Sequence, residues 1–190
     1  MPPLAEDLRA ALLSPEEAAA MDAHGSTDAA VLLPLYDWPL EPGLVFTKRR
    51  TDLRRHAGEI SFPGGRQDDP DEDLRATALR EADEEIGLDP TGVELVGALP
   101  PIGTFVTSYK VHPFVGLIEP ELELSPSPAE VAEVLRFSLA ELREGYAMKR
   151  LVRRGVPIRT PTYTVGRHLI WGATARILGD FLARADPAGG

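Results

Sequence analysis

The stretch "FPGGRQDDPDEDLRATALREADEEIGL", Phe62 to Leu88, constrains this chain more than any other. Its second half reads as a helix, with Ala78, Ala82 and Ile86 spaced to pack on a sheet. Advancing about 100° per residue, Glu81, Glu84 and Glu85 fall on one stripe roughly 100° wide, and Asp83 points away from it. Glu81 and Glu85, four apart, repel and destabilise an isolated helix by about 0.2–0.5 kcal/mol. A bound divalent cation would reverse that effect. Magnesium prefers oxygen ligands, keeps several waters and joins carboxylates to phosphates, so Glu81, Glu84 and Glu85 are the candidate metal ligands. Arg80, four before Glu84, is in the weaker order for a helical ion pair and is assigned to holding that carboxylate's rotamer. Gly64 and Gly65 read as a turn whose bare backbone can approach a ligand. The helix is expected to start at Asp69 or Asp71, where a short acid caps exposed amides.

A solvated acidic face is the bland alternative, and the ordered string "READEEIGL" beside the glycine turn argues against it. An EF-hand loop fails because Leu74 stands where its glycine belongs and Arg80 where its closing glutamate belongs. No Gly-Lys-Ser/Thr phosphate loop occurs.

The 190 residues fit one domain, 1–190, and with 43% hydrophobic and 26% charged residues the balance is that of a globular protein. A net charge of −10 argues against a nucleic-acid or anionic-membrane surface, so an anionic substrate must be met locally by a metal or by arginines. The absence of cysteine excludes disulfides and thiolate chemistry. "MPPLAEDLRAALL" lacks the pattern of a leader, and no run approaches the roughly 18 apolar residues of a membrane span, so a cytoplasmic location is the expectation.

An N-terminal helix is expected within about 1–24, with Ser14, Pro15 and Glu17 forming a capping box and His24-Gly25 ending it. "AAVLLPLY", "GLVFTKR", Glu59 to Phe62, "VELVGALP" and "YKVHPFVGLIEP" read as strands. A second capped helix opens at Ser138, with Glu141 three residues on. "MKRLVRRG" and "TPTYTVG" suggest a hairpin, "WGATARILGDFLARA" a closing helix, and about 185–190 a loose tail. The alternation predicts an α/β fold with a mixed β-sheet sandwiched between helices.

The box at 64–88 resembles that of the Nudix hydrolases: Gly, five residues, Glu, seven residues, Arg-Glu-apolar-any-Glu-Glu-any-Gly-apolar. Arg80 to Leu88 fit throughout. The first half departs, since Asp71 holds the acid's place, Glu72 comes one residue late, and one extra residue precedes Arg80. That longer spacing is similar to the coenzyme A pyrophosphatase branch, as is "LVFTKRRTDLRRHAGEISFPGG", where Thr47, Arg49, Leu53, Arg54, Gly58, Phe62, Pro63, Gly64 and Gly65 match the branch's upstream motif. Arg50 replaces its serine, and Val45-Phe46 its leucines. "HLIWGATARIL" resembles its closing helix.

The resemblance implies a Nudix fold and a magnesium- or manganese-dependent hydrolase (Mg2+ or Mn2+). Its substrate would be coenzyme A or a derivative, cut to 3',5'-ADP and 4'-phosphopantetheine. A broader nucleoside diphosphate hydrolase acting on ADP-ribose, dinucleotides or nucleoside triphosphates stays open, as does a non-catalytic nucleotide-binding module, against which the intact glutamates argue. The implied roles are catalytic for Glu84, Arg80 and Glu130, and substrate-binding for Arg49, Arg54, Gly64 and Gly65. Glu130 is either an acid suited to general-base work or an exposed residue at an element's start. Arg50, Arg55 and His56 read as solvated or salt-bridged as readily as ligand-binding. His112 and His168 read as structural, and Trp171 as an anchor for the last helix. The partner is a small molecule, with a homodimer left open.

Overall fold

The computed structural model describes residues 4–37, 40–52, 57–69, 71–104, 108–153 and 155–185. The N-terminal segment forms two short helices, α1 (Leu4–Ala11) and α2 (Pro15–Ala19), instead of one helix within 1–24. The chain leaves helical geometry between them because Leu13 exchanges backbone hydrogen bonds with Ala98, at 3.0 and 2.8 Å. Ser14 then reopens the helix with the expected capping box: its Oγ accepts from Glu17 N–H and its own N–H donates to the Glu17 carboxylate. α2 ends at Ala19, ahead of His24.

The main sheet runs β3 (Ile60–Ser61), β2 (Gly43–Arg49), β1 (Thr27–Tyr36), β7 (Tyr109–Ile118), β5 (Glu94–Ala98). Three further strands extend it: β4 (Gly64–Arg66) on β1, β6 (Ile102–Gly103) on β7 and β8 (Val131–Ser138) on β2. β1 and β7 pair in parallel from Thr27↔Tyr109 to Tyr36↔Ile118, and the other ladders are antiparallel, so the sheet is mixed. Parallel pairing requires a long crossover, and the connection from β1 to β7 contains α3 (Leu74–Ile86). The continuous apolar run of β1 follows from burial on both faces. One face packs Ala30, Leu32 and Val45 against Ala18 of α2 and Ala78, Ala82 and Ile86 of α3. The other packs Leu33, Leu35 and Phe46 against Leu8 of α1 and Ile177, Leu178 and Phe181 of α5 (Gly172–Arg184). This is the expected α/β arrangement with helices on both sides.

α4 (Leu139–Glu144) opens at Ser138 with the second capping box. β9 (Tyr146–Arg153) and β10 (Val156–Val165) form the predicted hairpin, which with β11 (His168–Ile170) makes a separate three-stranded sheet. Gly64 and Gly65 belong to β4 and not to a turn, registered opposite Val31 and Ala30. Three-residue strands are set by such long-range pairing, which local pattern does not reveal.

Candidate active site

α3 begins at Leu74, not at Asp69 or Asp71. Its N-cap is Asp73, whose Oδ1 accepts from Ala76 N–H at 2.9 Å. It ends at Gly87 with φ +65°, a left-handed conformation suited to glycine, whose N–H donates to the Ala82 and Asp83 carbonyls. With both ends pinned and Ala78, Ala82 and Ile86 buried, the phase of Glu81, Glu84 and Glu85 is fixed. Asp83 is exposed, as the helical phase predicts. Asp83→Asn is therefore expected to change stability by no more than about 0.5 kcal/mol and to leave turnover near normal, checked by melting and initial rates.

Asp71 did not become the cap because Arg80 holds it. Arg80 Nε donates to Asp71 Oδ1 at 2.8 Å and Nη2 to Oδ2 at 3.0 Å, a bidentate pair completed by Thr77 Oγ1 and Asp68 N–H, both 3.0 Å from Oδ2. The hydrogen bond from Arg80 pulls the Asp71 carboxyl well below the usual carboxylate range, and that pairing raises Arg80 in turn. Arg80 Nη1 lies 3.0 Å from Glu81 Oε1 and 3.1 Å from Glu84 Oε2, and Nη2 donates to the Arg66 carbonyl of β4 at 3.2 Å. One planar guanidinium thus locks the loop before the helix, two stripe carboxylates and a strand together. Helical spacing alone pairs Arg80 with Glu84. The offset acid at Asp71 was the signal for the rest.

Glu85 is 6% exposed, and its Oε2 has no hydrogen-bond partner. Burial, reinforced by Glu81, pushes its carboxyl up to about 8, against Arg49 and the Gly64 N–H. Glu81 is also raised, by burial first and then by Glu84 and Glu130, with Arg80 opposing. Gly65 lies against the Glu81 carboxylate so closely that an added Cβ would collide with it. Gly65→Ala should therefore displace Glu81 and weaken manganese binding by about 10–100-fold with the fold retained, measured by titration calorimetry.

Arg49 closes the site from β2. The β2/β8 register shifts between Lys48 and Arg49, an irregularity of the kind that re-aims a side chain. Its Nη1 is 3.9 Å from Glu85 Oε1 and its Nη2 3.6 Å from Glu130 Oε2, while its buried Nε has no partner. Glu130 arrives on a loop that caps the end of α3, Ser127 N–H donating to the Glu85 carbonyl and Ser125 N–H to that of Ile86, both at 2.8 Å. Arg50 holds this loop by donating to the Pro128 carbonyl at 2.5 Å while chelating Asp52, and its N–H bonds the Glu130 carbonyl at 3.0 Å. The structure therefore brings together Arg49, Gly64, Gly65, Arg80, Glu81, Glu84, Glu85 and Glu130. Arg54, Arg55 and His56 lie outside the described residues.

His112 is buried and 3.1 Å from Asp28 Oδ1, a structural pairing. The His168 ring lies 5.7 Å from that of Phe137. Trp171 is half-buried at the N-cap of α5.

Among the described residues no three acidic or histidine side chains close into a ready metal cage, because Glu81 and Glu84 lean on Arg80. The donor set nevertheless suits a hard divalent cation: oxygen ligands only, a buried carboxylate oxygen without a partner, and carboxylates whose mutual repulsion a cation would relieve.

The chain matches the family model of the NUDIX domain over residues 26–155. It is 46% identical over 152 residues to the Nudix hydrolase NudL of Cronobacter sakazakii, spanning 79% of this chain and 78% of that protein. Among solved structures it resembles in fold a MutT/nudix family protein from Enterococcus faecalis (TM-score 0.55, 16% identity, 83% of this chain and 61% of that one). It likewise resembles the MutT protein from Methanosarcina mazei Go1 (TM-score 0.53, 19% identity, 88% and 95%). The chain belongs to the Nudix family. As a Nudix hydrolase it acts on pyrophosphate bonds of nucleoside diphosphate derivatives, and hydrolases of this family generally use divalent metals such as Mg2+ or Mn2+. No helix among the described residues is long and apolar enough to cross a membrane.

Proposed function

We propose that this Nudix hydrolase cleaves the diphosphate of coenzyme A or its derivatives to 3',5'-ADP and 4'-phosphopantetheine. The observation that carries the reading is Arg49. It ends the first strand of the upstream segment, is turned toward Glu85 and Glu130, stays beyond hydrogen-bond distance of both, and has a buried Nε without an acceptor. A substrate phosphate supplies what it lacks, since guanidinium donates paired, charge-assisted bonds to such oxygens.

Glu81, Glu84 and Glu85 would hold the metal, whose bound state supplies charge neutralisation at the diphosphate oxygens. Arg80 positions two of these carboxylates. Glu130, about half exposed at the open edge, takes the proton of the attacking water. The water oxygen bonds to one phosphorus, the bridging P–O bond breaks, and the leaving phosphate carries its electron pair away. Arg54, five residues after Arg49 in the sequence, is assigned a further phosphate of the substrate.

The test compares kcat/KM for coenzyme A, dephospho-coenzyme A and ADP-ribose, in wild type and in Arg49→Ala and Arg54→Ala. Each variant should lose about 1.5–3 kcal/mol, about 10–150-fold, on coenzyme A. Arg54→Ala should lose less on ADP-ribose. If ADP-ribose is the best wild-type substrate, the protein is a broader nucleoside diphosphate hydrolase; if no diphosphate is cut with either metal, it is a binding module.

A further inference from the structure

The β9–β10 hairpin differs in chemistry from the rest of the chain. Residues 145–166 contain Lys149, Arg150, Arg153, Arg154 and Arg159 and no Asp or Glu, so a chain of net charge −10 carries a net charge of +5 here and −15 elsewhere. Tyr146, Met148, Val152, Val156 and Ile158 are five of the eight large apolar side chains exposed among the described residues. The register places Arg150 directly opposite Arg159 and Val152 opposite Pro157, and Tyr146 and Met148 share that face by alternation. Like charges directly opposite each other destabilise a strand pair. Among the described residues neither arginine has an ion-pair partner, and both are exposed.

A complementary strip lies elsewhere on the same molecule. In the segment after β7, Glu119, Glu121 and Glu123 are exposed and likewise without ion-pair partners among the described residues. Leu122 and Leu124 alternate with them and pack inward. Arg136 fixes the strip by donating to the Pro120 and Leu122 carbonyls, both at 2.6 Å. We propose that the hairpin of one copy docks on the Glu119–Glu123 strip of a second copy, and reciprocally, in a two-fold dimer. The rest of each chain carries a net charge of −15, which opposes an extended polyanionic surface such as a membrane or nucleic acid along its whole length, whereas a second copy meets the hairpin with one short acidic strip. A copy of the chain instead offers an anchored run of exposed glutamates to the exposed arginines.

Sedimentation velocity over a micromolar concentration series tests this. Wild type should sediment as a dimer whose fraction falls as salt is raised. Arg150→Glu with Arg159→Glu should halve the mass, as should Glu121→Lys with Glu123→Lys. Mixing the two variants should restore a dimer, because the reversed hairpin then meets the reversed strip; neither a misfolded variant nor a merely structural role predicts that recovery. A wild type that stays monomeric overturns the proposal, and so do variants that remain dimers or a mixture that does not associate. A monomer that pellets with phosphatidylserine–phosphatidylcholine vesicles through its hairpin also overturns it and assigns the arm to a membrane.

Discussion

Glu85→Gln is expected to lower turnover by several orders of magnitude while making the metal-free protein more stable at pH 8. The two effects share one cause. Glu85 is buried, faces Glu81, and carries an oxygen with no partner. Its carboxyl titrates near 4.5 when unfolded and is pushed up to about 8 when folded. The folded state therefore binds the proton more tightly, so this group's contribution to stability falls as pH rises from about 4.5 to about 8. At about 1.4 kcal/mol per pH unit, a few kcal/mol are lost across that window. Glutamine keeps the shape and removes the charge, so the variant should lack this slope. Saturating manganese should raise the wild-type melting temperature most at high pH and raise that of the variant much less, since only a ligand of the native state stabilises it. Melts between pH 5 and 9 in chelator and in manganese decide the matter. A variant less stable at every pH, or one with near-normal turnover, contradicts the site.

Arg80→Met should be the most damaging substitution to the fold and the site together. It strands Asp71, whose side chain is only 5% exposed, and removing one partner of such a buried pair costs about 3–5 kcal/mol. Because Arg80 holds the folded carboxyl below its unfolded value of 3.8, Asp71 contributes stability above that pH and loses it as the pH falls through the folded value. In the variant that contribution is absent, so the gap to wild type should narrow in acid. Adding Asp71→Asn should recover part of the stability without recovering turnover, because Glu81 and Glu84 still lack their guanidinium. Recovery of both would mean that Arg80 serves the fold alone.

Much of this was readable in the residues, and the exceptions have physical reasons. The two capping boxes, at Ser14 and Ser138, were legible because they are closed within four residues. The glutamate stripe was legible because helical phase is local. The start of α3 was not: Asp69, Asp71 and Asp73 are equivalent caps in one dimension, and a guanidinium nine residues on removed Asp71 from the choice. Arg50 was ambiguous for the same reason, since its acceptor at Pro128 is 78 residues away. The approach of Arg49 and Glu130 to Glu85 depends on a register shift and a loop that caps the helix, and neither leaves a sequence pattern.

Mass analysis of the products formed when purified protein meets coenzyme A with magnesium or manganese tests the proposed reaction at its substrate. Wild type is expected to give 3',5'-ADP and 4'-phosphopantetheine in equal amounts, and Glu85→Gln neither. Intact coenzyme A with wild type in both metals, or the same products from Glu85→Gln at an unchanged rate, would contradict that reaction.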